Sequence, residues 1–272
     1  MPDLHLRILC IGAHPDDCEL QFGGTAAKFT SLGHAVKFVA LTNGDAGHAV
    51  LSGADLAGVR VREAEEAARR LGIDATEVLD HHDGQLVPSL ATRCEIVRQI
   101  RNWRADIVLT HRPYDYHPDH RYTAQLVQDS AYLVVVPNIC PDIPPLPRNP
   151  IFLYLEDHFQ KPVPFAADIA VDISDVWARK IDALDAHASQ FYEWLPWVDG
   201  RLAEVPKDAA ARKTWLKNTR TGPISPEVRA ALVKWYGNDK GRAAQYYEAF
   251  EICEYGAQPS EERIRQLFPM LK

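Results

Sequence analysis

With 272 residues, 46% of them hydrophobic and 25% charged, the chain can bury a sizeable core and has the composition of an ordinary globular protein. A formal charge of −7 offers no excess of Lys and Arg for phosphate, so nucleic acid is not expected as a partner. Five scattered cysteines without a C-x-x-C pair argue against a disulfide framework or a thiolate zinc site, and no apolar run approaches a membrane span.

The N-terminal stretch carries acidic Asp3 and an apolar segment too short for a signal peptide, so a cytoplasmic address without membrane insertion is expected. "LHLRILCIGA" is a first strand candidate, and "AVKFVALTNG", "DIVLTHRP" and "NPIFLYLED" repeat its form of an apolar run ending in a polar or glycine-containing loop. Between them, "DCELQFGGTAAKFTSLG", "VREAEEAARRLG" and "TRCEIVRQIRNWR" have helical spacing. This alternation predicts an α/β, doubly wound, mostly parallel sheet flanked by helices, Rossmann-like in its layering.

From Pro137 to Pro150 six prolines predict a stiff loop. "AADIAVDIS" reads as a further strand and "DVWARKIDALDAHASQFYEWL" as one long helix capped by Ser174 or Asp175. Residues 196–238 read as a mixed helical cap, and "GRAAQYYEAFEICEYG" as a C-terminal helix. The expected organisation is a single domain over 1–272, with a core at about 5–190 and a helical extension at about 191–272.

In such sheets ligands bind beyond the carboxyl ends of the strands, and the polar clusters fall there. "CIGAHPDDCELQFGG" follows the first strand. His14 and Asp17 stand three residues apart across a turn holding Pro15, and both are ligand types for zinc and similar ions. One of Asp16 and Asp17 is expected simply to cap the following helix. Gly23 and Gly24 suggest close helix-to-sheet packing, since G-x-G-x-x-G is absent.

The second cluster, "THRPYDYHPDHRYTAQ", brings His117, Asp119 and His120 ahead of a helix, and one histidine from it would complete a three-ligand metal set. His111 reads as a hydrogen-bonded loop residue. In "TNGDAG", Asn43 or Asp45 could contact substrate, although the stretch is first a turn; "DHHDG" reads as a polar loop turning at Asp83-Gly84. His158 and His187 read as structural, and Tyr114 and Tyr116 lie in the second loop, where an aromatic face could support a sugar ring. Trp194 and Trp197 could line a pocket or an oligomer interface, so a homo-oligomer is conceivable.

H-P-D-D at 14 to 17 followed by E-L-x-x-G-G, with H-P-D-H at 117 to 120, resembles the zinc-dependent N-deacetylases that include the GlcNAc-phosphatidylinositol de-N-acetylases and the bacterial LmbE-like enzymes. The resemblance runs from Ile8 to about Ala131 and includes "VREAEEAARRLGI" between the motifs. It implies an LmbE-like fold in which His14, Asp17 and His120 bind the metal. Asp16 would then be the general base, His117 would polarise the carbonyl or act as general acid, and Asp119 would orient His117.

Arg60, by the same resemblance, holds sugar hydroxyls; Asp45 and Tyr116 are the further substrate-binding candidates. The implied cofactor is zinc, or Fe2+ or another divalent ion in the cell. The expected reaction removes an acetyl group from a small N-acetylated amino sugar or its conjugate: water activated at the metal attacks the amide carbonyl, Asp16 takes its proton, and His117 stabilises the oxyanion. The alternatives are a hydrolase of another N-acyl amide or an ester, and a non-catalytic sugar- or nucleotide-binding module.

Overall fold

The computed structural model describes residues 5–271; Asp3 and Leu4, named in the sequence reading, lie outside them. Seven strands form one sheet: β1 (Arg7–Gly12), β2 (Ala35–Thr42), β3 (Ala75–His81), β4 (Ile107–Thr110), β5 (Ile151–Leu155), β6 (Ile169–Asp172) and β7 (Tyr247–Ile252). Their spatial order is β3-β2-β1-β4-β5-β7-β6. β3, β2, β1, β4 and β5 pair in parallel, and among the described residues only the pairs made by β7 are antiparallel.

The helices are α1 (Asp17–Ser31), α2 (Gly53–Leu71), α3 (Leu90–Trp103), α4 (Pro118–Leu133), α5 (Trp177–Ala186), α6 (Leu195–Val198), α7 (Ala209–Thr219), α8 (Pro226–Tyr236), α9 (Asn238–Ala243) and α10 (Glu261–Leu267). β1 and β4 are buried on both faces, which is why their sequences are continuously apolar rather than alternating. Ile8 and Cys10 of β1 face a core with Phe22 and Phe29 of α1, Leu71 of α2 and Leu184 of α5. Leu9 and Ile11 face the opposite core with Ile96 and Ile100 of α3 and Leu126 of α4. The chain is therefore doubly wound, as the alternation predicts.

The proline-rich loop is tied down from α3. Buried Arg101 donates hydrogen bonds to the carbonyl oxygens of Leu133, Val134, Val136, Ile139, Cys140 and Ile143, replacing the backbone pairing that prolines deny this segment. The five cysteines are free, and all but Cys94 are buried. No helix among the described residues is long and apolar enough to cross a membrane.

Two expectations for the C-terminal part are corrected. "GRAAQYYEAFEICEYG" is not one helix: after the short α9 it enters the sheet as β7, between β5 and β6. Glu248, polar yet 3% exposed, masked the strand pattern; its carboxylate accepts from Lys180 Nζ (2.7 Å) and from the amides of Gly24 and Thr25 (2.8 and 2.6 Å). The stretch from Asp175 to Leu195 is likewise not one helix. α5 starts after Val176, neither Ser174 nor Asp175 caps it, and past His187 the chain widens into a π-helical turn at Ser189–Trp194.

Gly24 supplies the close approach expected of the glycine pair, whereas Gly23 does not. A Cβ at Gly24 would lie 2.7 Å from Ile173 Cδ1 and 3.0 Å from its Cβ, but at Gly23 the nearest atom is 3.7 Å away. Gly24→Ala is therefore expected to cost about 1–3 kcal/mol through overpacking. Gly23→Ala, gaining helix propensity without a clash, should be neutral or stabilising; urea unfolding of the two variants checks the contrast.

Candidate metal and catalytic site

β1 and β4 are neighbours from which the chain departs in opposite directions, toward β2 and toward β5, so a crevice opens at their carboxyl ends. Ile11 is paired with Thr110, and the loops and helix starts that follow carry His14 to Asp17 and His111 to His120. At Gly12 a Cβ would meet Asp17 Cβ at 2.8 Å, so glycine is what lets the loop fold back on the strand. Asp17 Oδ2 then accepts the amides of Ala13 (3.0 Å) and His14 (2.7 Å), which fixes the carboxylate against the strand end.

Neither carboxylate caps α1: Asp16 holds the N-cap position without a side-chain cap bond, and Asp17 is already helical. Asp16 adopts φ 138°, a conformation costly for a side-chain-bearing residue. Its carboxyl group is buried and makes no hydrogen bond among the described residues. Burial, and next the charge of Asp17, push its pKa up to about 6. Adjacent residues thus differ sharply: Asp17 is anchored, Asp16 is held unbonded at the crevice.

Four atoms of three residues converge, although His14 and His120 are 106 apart in sequence: His14 Nδ1 lies 3.2 Å from His120 Nε2. Asp17 Oδ2 is 3.5 Å from His14 Nδ1, and Asp17 Oδ1 is 3.5 Å from His120 Nε2. Ligands at about 2.1 Å from a tetrahedral zinc stand roughly 3.4 Å apart, and each pair in this triangle of donor residues is close to that spacing, Asp17 meeting the two imidazoles through different oxygens. His14, His117 and His120 also form one compact group, and Asp17, His111 and His120 another.

The far sides of the two imidazoles face carboxylates. His14 Nε2 is 3.2 Å from Asp83 Oδ1 and 3.4 Å from Asp119 Oδ2, and His120 Nδ1 is 3.1 Å from Asp115 Oδ1. Carboxylates placed behind metal-ligating imidazoles orient the ring and raise its basicity. Burial disfavours the charged form of His14, but Asp119, Asp17 and Asp83 outweigh it and hold the pKa well above the usual imidazole value. Five aspartates, Asp16, Asp17, Asp83, Asp115 and Asp119, crowd a space in which imidazoles and the Arg60 guanidinium are the facing cations. A divalent cation suits both the donor set and this charge.

His117 caps α4, its Nδ1 accepting the Asp119 amide at 3.2 Å, which leaves Nε2 to carry the proton. The expected link from Asp119 to His117 is made by this amide; the Asp119 carboxylate instead faces His14 and accepts the Gly84 amide (2.6 Å). Asp45 does not line the cleft, because its carboxylate is engaged by His82 Nδ1 (2.6 Å) and the Asp83 amide (3.0 Å). Arg60 is in the cleft, 3% exposed, and Tyr116 stands at its wall.

Three contributors escaped the sequence reading. Asp115 sits two residues before His117 but outside the H-P-D-H motif, and Asp83 has the form of an ordinary Asp-Gly turn. His111 is hydrogen-bonded as expected, accepting the Ala13 amide at 3.1 Å, but it is buried beside Asp17 and stacks on His120 with ring centroids 4.1 Å apart.

A sequence model of the PIG-L family, described as GlcNAc-PI de-N-acetylase, matches residues 9–131, the span that holds both motifs. Over 202 residues the chain is 36% identical to a diacetylchitobiose deacetylase of Thermococcus kodakarensis, covering 70% of this chain and 73% of that protein. This chain belongs to the PIG-L family. Its fold superposes on an N,N'-diacetylchitobiose deacetylase from Pyrococcus horikoshii with a TM-score of 0.68 at 28% identity, over 91% of this chain and 84% of that one. A 4-oxalmesaconate hydratase of Pseudomonas putida is also similar, 26% identical over 68% of this chain and 74% of its own length. Family membership and the deacetylase relatives place the chain among the N-deacetylases.

In this PIG-L protein the outer carboxylates should be separable from Asp16. Asp115→Asn is expected to weaken zinc binding about 10–100-fold, measured by competition with a chelating dye. Asp16→Asn, which alters a group outside the donor triangle, should leave zinc affinity within a few-fold of the parent.

Proposed function

We propose that the protein is a zinc-dependent N-deacetylase of small N-acetylated amino sugars, with N-acetylglucosamine compounds as the first substrates to try. The observation that carries this is the donor triangle of His14 Nδ1, Asp17 and His120 Nε2, with the unbonded Asp16 carboxylate beside it. The ion, once bound, supplies positive charge that acidifies water and polarises an amide carbonyl.

Asp16 is suited to general-base work because it is free of hydrogen bonds and its pKa is raised toward neutrality by burial and by Asp17. It accepts a proton from the attacking water and later passes one to the departing amine. His117, with its proton on Nε2, donates to the oxyanion that develops on the acyl oxygen. The cleft encloses about 280 Å3, near the lower end of the usual range for small-ligand pockets, which fits one sugar unit better than an extended polymer. The diacetylchitobiose deacetylase relatives support the choice of sugar.

Chelation should abolish acetate release from N-acetylglucosamine compounds and added zinc should restore it. Asp16→Asn should retain zinc while kcat falls about 10²–10⁴-fold. Undiminished turnover after chelation, or turnover confined to esters or to hydration of an unsaturated acid, would overturn the proposal.

A further inference from the structure

A second cavity lies between α1, α5 and the start of β7, and it shares no lining residue with the metal crevice. It encloses about 190 Å3. That is room for roughly six waters at ~30 Å3 each. Arg220, just past the end of α7, stands on its wall. The guanidinium has neither an ion-pair partner nor a side-chain hydrogen bond among the described residues. Its Nε is buried without an acceptor, whereas Nη1 and Nη2, equally unbonded, keep accessible surface. Burial pulls the Arg220 pKa below its ordinary value, against the opposing charges of Asp16 and Asp199. A cation taken out of water without a partner is costly, so such charges are normally paired.

The other charged groups of the cavity are already committed. Lys180 Nζ donates to Glu248 Oε1 at 2.7 Å. The Glu156 carboxyl, its pKa pushed up to about 7 by burial, accepts the Tyr247 hydroxyl at 3.1 Å. Arg220 Cζ lies 4.9 Å over the Phe191 ring, a contact that uses the face of the guanidinium and leaves its N–H edge free. Trp177 and Tyr246, stacked with centroids 4.2 Å apart, give the cavity a flat aromatic wall.

We infer that this cavity binds a small oxyanion, a carboxylate or a phosphate, gripped by the open N–H edge of Arg220. The uncompensated positive charge excludes a cation, and the volume is too small for a sugar conjugate. A guanidinium edge matches two oxygens of a carboxylate or a phosphate, and such charge-assisted pairs are stronger than neutral hydrogen bonds. The site stands apart from the metal crevice and does not depend on which bond the protein cleaves.

The test titrates inorganic phosphate and malonate, separately, into the zinc-loaded protein by calorimetry. At least one should bind. Arg220→Gln should weaken that binding about 10–100-fold, while Arg220→Lys, which keeps the charge, should retain part of the affinity. Gly222 supplies a variant that leaves every charge in place: it lines the same cavity, and a Cβ there meets no atom within 4 Å. Gly222→Leu should therefore fold and block binding, whatever Arg220→Gln does to stability. Melting temperature and zinc content of each variant confirm that folded protein is compared. Both oxyanions can also bind zinc, so crystals soaked in selenate locate the site, with an anomalous peak expected beside the Arg220 guanidinium. A selenate peak at the metal crevice alone, binding of neither oxyanion, or affinities indifferent to Arg220→Gln and Gly222→Leu would overturn the inference.

Discussion

The parallel pairing of β1 with β4 is the constraint on which the site depends. With Ile11 opposite Thr110, two strands separated by most of a hundred residues end level, and their loops must emerge into the same crevice. A slip of one residue would turn every side chain of β4 to the opposite face. The burial of both strands against two separate cores makes such a slip prohibitive, so apolar packing sets how accurately His14 meets His120.

Around that meeting point the protein concentrates negative charge where burial would normally forbid it. Each aspartate is tolerated for a different reason. Backbone amides hold Asp17 and Asp119, imidazoles face Asp83 and Asp115, and Asp16 alone is left with a raised pKa and a backbone conformation that costs energy. Strain and an unpaired acid in one residue are what a preorganised base requires, and the surrounding fold must supply the stability they cost.

Much of this was readable in the chain. Apolar runs ending in polar loops gave the layered fold, and two motifs with ligand-type residues after strands gave His14, Asp16, Asp17, His117 and His120. What escaped was what depends on partners distant in sequence. Asp83 looks like any turn aspartate until β3 brings it beside His14, and Asp45, equally plausible, is drawn away by His82. Asp115 and His111 gain meaning only once α4 turns His120 between them. β7 read as helix because the buried Glu248 breaks the apolar alternation, and its reason to be there, Lys180 and the amides of α1, lies far upstream.

The position of β7 also bears on how the polypeptide is made. Among the described residues β6 pairs with no strand but β7, which bridges it to β5, so two sheet edges stay open until Ile252 has left the ribosome. The core under β1 waits for this strand as well, because Phe250 of β7 packs on Phe22 of α1 and Glu248 accepts the amides of Gly24 and Thr25. Until then the nascent chain carries unpaired, adhesive margins, a period in which chaperone protection matters most.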